Sequence, residues 1–432
     1  MSYQSPYQCF YIESYQYDPQ LARATFHYSF DKNLAFTEEL YFEAPGSDYN
    51  LQALDRALQL AHVLLGISYY KVFPTKQVEV ESFDLASEQA EFFSTVYRDG
   101  LSQFVYENNL QPDDIAVFNG AGGGEVAVGY AGQGLVALQS GGKDSLLLAE
   151  LLRRRGVEFA SLYVSSSDLH PSVIDEVGAS QHRDVRRRLD SSGLGQASQT
   201  GGLNGHVPIT YLVIGIALID MVLNNDSHLL LGIGQEGEEP YLTIGDYAVR
   251  HQWSKTYQAE LMMARYVSSF ISPDIRVGSP LRGFTELRIA ELFAENCWTR
   301  YGRKFASCNV ANYKQGQANS SLSWCGNCAK CANSFLLFAP FVNPAELRDV
   351  FGGNLFENAN LTDVFKGLLA IDGATKPFEC IGETDELRLA YHMALDRYPE
   401  AGYRLPFEIP VSNFDYGALC PLQAWAQDLL SQ

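Results

Sequence analysis

The stretch Val136–Gly156, VALQSGGKDSLLLAELLRRRG, constrains the fold more than any other part of the chain. A short apolar run passes through a turn of small residues into an amphipathic helical pattern. The turn holds Ser140, Gly141, Gly142, Lys143, Asp144 and Ser145. A helix start offers unpaired N–H groups and the positive end of its dipole. Glycines let the backbone approach a bulky anion, and small hydroxyls add donors. Lys143 brings a positive charge, and Asp144 suits a helix cap or an Mg²⁺ contact. The sequence therefore predicts a phosphate-type turn between a strand and a helix. Two better-known phosphate loops do not match it. A P-loop needs glycine where Ala137 stands, and Ser or Thr where Asp144 stands. Upstream, FNGAGGGEVAV (Phe118–Val128) has Glu125 in place of the last glycine of a dinucleotide loop and reads as a flexible loop.

The chain has 432 residues, enough for two or three domains with their own cores. Hydrophobic residues make up 46%, and 25 Tyr with 25 Phe supply aromatic packing. A net charge of −20 argues against a general nucleic-acid binder, which needs a basic face. MSYQSPYQCFYIES lacks the regions of a signal peptide. The longest apolar run, Ile209–Leu223, is too short to span a bilayer and contains Asp220. It reads as a helix buried against a sheet. The expectation is a cytoplasmic protein with neither membrane nor nucleic acid as partner.

Three segments follow from the patterning. Residues 1–118 alternate or run aromatic in CFYIESYQY, ATFHYSF and AFTEELYFEA, as in a β-rich module. Residues 119–290 alternate strand and helix, with LVALQ, EFASLYVS, HLLLGIG and DIRVGSP as parallel strands. Residues 291–432 read as mainly helical. Ligands of parallel sheets bind beyond the carboxyl ends of the strands. The Ser140–Ser145 turn, GIGQEGEEP and GSPLRGFTE all fall there. The basic run HRDVRRRLD (His182–Asp190) reads as a source of positive charge or a solvated helix face.

A second chemical signal is CGNCAKC, with Cys325, Cys328 and Cys331, preceded by Cys308. Paired Cys-x-x-Cys spacing lets thiolates converge on one ion, and a distant cysteine completes a tetrahedron. Structural Zn²⁺ is the first reading. An iron–sulfur cluster or free structural thiols are the alternatives. Eight cysteines in a chain of this length suit a reducing compartment with a metal site better than a disulfide scaffold.

Ser-Gly-Gly-Lys-Asp-Ser resembles the pyrophosphatase loop of the N-type ATP pyrophosphatases, the PP-loop superfamily. That resemblance implies an α/β fold with a parallel-sheet, adenine nucleotide α-hydrolase-like domain. It also implies ATP with Mg²⁺, and activation of a carboxylate or carbonyl as its adenylate. Downstream blocks narrow the likeness: NGHVPIT (Asn204–Thr210), RHQWSK (Arg250–Lys255), PLRGFTELRIAELFA (Pro280–Ala294), CGNCAKCANSFLLFAPF and KPFECIGE (Lys376–Glu383). In that order they resemble the UDP-N-acetyl-α-D-muramoyl-L-alanyl-L-glutamate epimerases of peptidoglycan synthesis. The QEGEEP loop (Gln235–Pro240) departs from that family's pattern, where a loop rich in Asn, Glu, Arg and Ser is expected. Another adenylating enzyme of the superfamily, a 7-cyano-7-deazaguanine synthase-like ligase or a transfer-RNA modifier, is the alternative.

The epimerase resemblance implies a UDP-linked dipeptide as substrate and ATP-dependent inversion of its terminal L-glutamate. The α-proton beside a carboxylate is hardly acidic, because its removal puts a second negative charge on one unit. Adenylation removes the first charge, and side chains can then move the proton. His206, His251, Lys255, Cys380 and Glu383 are the candidates for that work. Arg282, Arg288, Arg250 and the HRDVRRRLD run can supply charge for anionic groups, with Arg282 counted among the nucleotide contacts.

Overall fold

The computed structural model describes residues 3–43, 45–46, 48–122, 126–167, 169–314 and 320–431. Part of the glycine-rich stretch, Gly123–Glu125, therefore lies outside the described residues. The chain opens with an antiparallel meander of β1 (Cys9–Asp18), β2 (Arg23–Phe30) and β3 (Leu34–Phe42). In β3 every second residue faces inward, so Leu34, Phe36, Leu40 and Phe42 are buried, and Glu38 with them. Helix α1 (Leu51–Tyr70) starts at Asn50, whose side chain accepts from the N–H groups of Gln52 and Ala53 at 3.0 Å. Strand β4 (Gln77–Val80) then joins β1 in parallel, and α2 (Ser87–Gly100) and α3 (Ser102–Glu107) follow.

Alternating strands and helices come next: β5 (Leu135–Gln139), α4 (Lys143–Arg154), β6 (Ala160–Ser165), β7 (Gln181–Arg188), α5 (Ser191–Gln199), α6 (Ile209–Leu223) and β8 (His228–Leu230). A short hairpin, β9 (Leu242–Ile244) and β10 (Tyr247–Val249), precedes α7 (Tyr257–Tyr266) and β11 (Arg276–Gly278). The remainder is helical: α8 (Glu286–Asn296), α9 (Trp298–Tyr301), α10 (Ala329–Phe338), α11 (Pro344–Phe351), α12 (Thr362–Leu368), α13 (Thr384–Arg397) and α14 (Ala424–Ser431). No helix among the described residues is long and apolar enough to cross a membrane.

The expected parallel strands are present, and β11, β8, β5, β6 and β7 pair side by side in parallel. The β-rich N-terminal segment does not form a sheet of its own. Strand β3 pairs antiparallel with β7, giving one nine-stranded sheet in the order β11-β8-β5-β6-β7-β3-β2-β1-β4. One face of this sheet carries α1 and α6, which pack side by side. The other carries α4, α8 and the C-terminal helices. Helix α6 is the apolar run read from the sequence, and it is buried almost all round.

The run HRDVRRRLD is a strand, not a solvated helix face. Its alternation decides this: Arg183, Val185 and Arg187 point inward, while His182, Arg186 and Arg188 are exposed. The buried arginines are paired. Arg187 Nε donates to Glu38 Oε1 at 2.6 Å, and its Nη2 donates to Ser68 Oγ at 2.7 Å. Arg183 lies 3.0 Å from Asp220 and donates to Asp226 at 2.6 Å. Burial pushes the Asp220 carboxyl up to about 6, against the pull of Arg183. Breaking a buried pair from one side leaves an uncompensated charge. Glu38→Ala is expected to cost about 3–5 kcal/mol, seen as a lower urea midpoint, whereas the exposed Arg188→Ala changes stability little.

Candidate active site at the carboxyl edge of the sheet

The Ser140–Ser145 turn leaves β5 and opens α4, as the sequence predicts. Gly141 has φ +75°, and a Cβ there would lie 2.4 Å from Leu322 and 3.2 Å from Val173. A Cβ on Gly232, just after β8, would lie 2.9 Å from the Ser145 nitrogen, so β8 closes tightly on the start of α4. Within the turn, the Ser140 N–H donates to Ser145 Oγ at 3.3 Å, and Gln139 Nε2 donates to the Ser145 carbonyl at 3.1 Å. These contacts fix a turn whose helix N-terminus is suited to an anion.

Lys143 Nζ sits 2.5 Å from both Asp144 Oδ1 and Glu286 Oε2. Burial works against its charge, but Asp144, Glu286 and Glu236 outweigh that cost and hold its pKa above the ordinary value. Glu286 begins α8, where Thr285 Oγ1 caps the helix by accepting from the Arg288 N–H at 3.2 Å. Burial pushes the Glu286 carboxyl up to about 7; Lys143 opposes this, and Asp144 and Glu236 add to it. Its Oε1 is buried and has no hydrogen-bond partner among the described residues.

Glu236 links this group to the candidate acid–base residues. It accepts from Gln252 Nε2 at 2.6 Å and from Lys255 Nζ at 3.2 Å. Burial would raise its pKa, yet Lys255, Lys143 and Lys330 together hold it below the ordinary value. Lys255 is half-buried, and Cys380, Glu236, Asp144 and Glu286 keep its ammonium form favoured against the cost of desolvation. The rings of His206 and His251 lie with centroids 4.3 Å apart and planes tilted by 42°, and His251 Nδ1 lies 2.6 Å from Gln103 Oε1. Burial lowers His206 to about 3, with His251 adding to the effect, and lowers His251 to about 4. Both are neutral at pH 7. Tyr241 donates to the Glu379 carbonyl at 2.5 Å, and burial, Cys380 and Glu383 raise its pKa.

Every glutamate of the QEGEEP loop has a partner. Glu238 Oε1 accepts from the Tyr257 N–H at 2.7 Å, and Glu239 pairs with Lys376 at 2.7 Å. Glu383 Oε1 accepts from the N–H groups of Glu238 and Glu239 at 3.1 and 3.2 Å, which pins the loop. Its carboxyl is pushed up to about 7 by burial, with Lys376 opposing. Arg282 has no exposed surface. It pairs with Glu260 and donates to the carbonyls of Gly234 and Lys255 at 2.6 and 2.9 Å. It therefore braces the loop from behind. Arg288 pairs with Glu291, and Arg250 Nε donates to the Glu238 carbonyl at 3.3 Å.

The four cysteines converge. Cys308, Cys325, Cys328 and Cys331 place all their sulfurs within 4.8 Å of one another, an arrangement that can hold a metal ion. Lys330, between two of them, donates to the backbone carbonyl of Cys380. The sequence reading missed Glu236, Glu286, Lys330 and Tyr241. Glu286 and Lys330 had a signal: one is the first helical residue after a strand end, the other sits inside the cysteine motif. A cavity of about 1020 Å³ between α2 and α7 shares no lining residue with this cluster.

A largely parallel sheet with a glycine turn opening a helix and a cluster of titratable side chains at its carboxyl edge is the architecture of an α/β enzyme. The chain belongs to the MurL family: residues 1–278 match the model for the MurL N-terminal domain and residues 304–404 that for the MurL C-terminal domain. A protein of Xanthomonas oryzae pv. oryzae (strain MAFF 311018), named UDP-N-acetyl-alpha-D-muramoyl-L-alanyl-L-glutamate epimerase, is 32% identical over 388 residues, covering 88% of this chain and 84% of the relative. Proteins of the same name from Micromonospora sp. (strain ATCC 39149 / NRRL 15099 / SCC 1413) and Salinispora tropica (strain ATCC BAA-916 / DSM 44818 / JCM 13857 / NBRC 105044 / CNB-440) are 31% and 32% identical, over 90% and 87% of this chain and 87% and 82% of theirs.

The depressed histidines make a signed prediction. Each pKa is lower in the folded chain than the ordinary histidine value of 6.5, so the unfolded chain binds more protons below that pH. Stability is expected to fall as pH drops from 6.5 towards 4, by up to about 1.4 kcal/mol per pH unit for each histidine. The double substitution His206→Gln, His251→Gln flattens that limb in urea titrations run at each pH.

Proposed function

We propose that the chain inverts the terminal L-glutamate of UDP-MurNAc-L-Ala-L-Glu to D-glutamate with consumption of ATP. The observation that carries this reading is the continuous charge cluster from Lys143 through Glu286 and Glu236 to Lys255. It joins an anion-binding turn to a set of acid–base groups at one edge of one sheet. On this reading residues 119–290 hold the nucleotide, and residues 1–118 and 291–432 flank and complete the site.

The substrate's α-carboxylate oxygen attacks the α-phosphorus of ATP, and pyrophosphate leaves. Ser140, Gly141, Gly142, Lys143 and Ser145 cradle the phosphates. Asp144 and the unpartnered Glu286 Oε1 are oxygen donors of the kind Mg²⁺ takes, and Mg²⁺ bound there would neutralise phosphate charge. A base then takes the Cα proton of the acyl-adenylate, and a donor returns a proton to the opposite face. Water attacks the acyl carbon and releases AMP. Lys255, kept as an ammonium, suits stabilisation of the developing negative charge. His206, His251, Cys380 and Glu383 remain the groups that move the proton.

The reaction test separates two half-reactions. In D₂O with ATP, the product should carry one deuterium at the glutamate Cα, and ¹⁸O in the substrate carboxylate should appear in AMP. Deuterium incorporation without nucleotide would remove the adenylate from the scheme. A variant at the true base should still release pyrophosphate but lose Cα exchange.

For the cysteines we propose Zn²⁺. Zinc–sulfur bonds of about 2.3 Å at tetrahedral angles set sulfurs about 3.8 Å apart. The neighbouring pairs here lie 3.6 Å (Cys308–Cys328), 3.7 Å (Cys325–Cys331) and 3.5 Å (Cys328–Cys331) apart. A cluster of several irons would spread them further. Purified protein should hold about one zinc per chain, lost with a drop in melting temperature in Cys328→Ser. Iron with acid-labile sulfide is the result that would overturn zinc.

A further inference from the structure

The basic strand β7 borders a second cavity. Its outward face, at the carboxyl end, bears Asp184, Arg186 and Arg188. Register places Ser165 of β6 and Tyr41 of β3 directly beside Arg186, on the same face of the sheet. These residues, with Tyr163 and His170, line a cavity of about 320 Å³. The Arg188 guanidinium lies over the Tyr41 ring, 4.8 Å from its centroid. His170 bridges two carboxylates, at 2.7 Å from Asp184 and 3.0 Å from Asp175.

This mixture suits a nucleotide better than a bare phosphate. Two guanidinium groups two residues apart on one strand, about 7 Å by strand rise, match a chain of two phosphates. Tyrosine rings offer a face to a base. A carboxylate can accept from ribose hydroxyls, as acidic residues do in dinucleotide folds. A site for inorganic anions alone would gain nothing from Asp184. The position fits as well. The cavity opens at the same end of the parallel strands as the Ser140–Ser145 turn. Strand β7 lies three strands from β8, about 14 Å across the sheet. A sugar together with two amino-acid residues, the latter about 7 Å when extended, can bridge that span to Glu236 and Lys255.

We infer that the cavity between β3, β6 and β7 binds the uridine diphosphate end of the substrate, with Arg186 and Arg188 on the phosphates and Tyr41 against the base. The identity of the ligand rests on the function proposed above. The binding of UDP itself does not require that function to be correct.

UDP is the probe, titrated by calorimetry into the full-length protein. UDP should bind, and UMP should bind more weakly. Arg186→Gln and Arg188→Gln should each weaken UDP by about tenfold or more, with unchanged melting temperature and unchanged ATP binding. In turnover, the same variants should raise KM for the UDP-linked dipeptide far more than they lower kcat. Equal UDP affinity in both variants and parent overturns the site. Loss of ATP binding with UDP binding intact overturns it too, and gives the cavity to the adenosine end. If UDP binding is lost as expected but no epimerisation occurs in the parent protein, the site stands and the proposed reaction falls.

Discussion

The fold depends on a seam between two strands, β3 and β7, and on what is buried behind it. Among the described residues, an antiparallel meander and a parallel sheet become one sheet through that pairing. Two arginines of β7 point into the interior at the seam, and each finds carboxylate partners on other elements: Glu38 for Arg187, and Asp220 and Asp226 for Arg183. Such pairs add little net stability over well-packed apolar residues, but removing one partner is costly. Their effect is to fix register. A one-residue slip of β7 would turn both charges outward and bring Asp184 and Arg186 inside. The seam thus sets which face of β7 meets the helices and which faces the cavity beside Tyr41.

The same logic explains what could be read from the sequence. The turn at Ser140–Ser145 was legible because its meaning is local: strand, glycines, helix. The apolar helix α6 and the parallel strands were legible from hydrophobic periodicity. The meander was legible as strands but not as part of the larger sheet, because pairing of β3 with β7 joins residues about 150 positions apart. Of the two readings of HRDVRRRLD, a source of charge or a solvated helix face, the second fails for a related reason. A buried arginine looks like a surface arginine until Glu38 and Asp220 are placed beside it.

At the reaction edge, the sequence supplied types and the structure supplied partners. Lys255, His251 and Cys380 could be singled out as chemistry-bearing residues. That Lys255 is held as an ammonium by Glu236, or that two histidines are kept neutral by burial against each other, needs the fold. Arg282 shows the reverse. Its charge drew attention as a nucleotide contact, while its guanidinium is fully buried against Glu260 and two backbone carbonyls. The QEGEEP loop is acidic in composition, yet each glutamate is engaged, so the loop presents less free negative charge than its sequence suggests.

The cysteine loop has a consequence for how the chain divides. Leu322 packs against Gly141, Ala306 donates its N–H to the Gly141 carbonyl, and Lys330 reaches the backbone of Cys380. Residues matched by the C-terminal family model therefore touch the turn matched by the N-terminal one. A chain released from the ribosome up to residue 278 has the Ser140–Ser145 turn but neither Lys330, Cys380 nor Glu383. The two matched segments therefore meet at this edge of the sheet, and neither holds all of the residues gathered there.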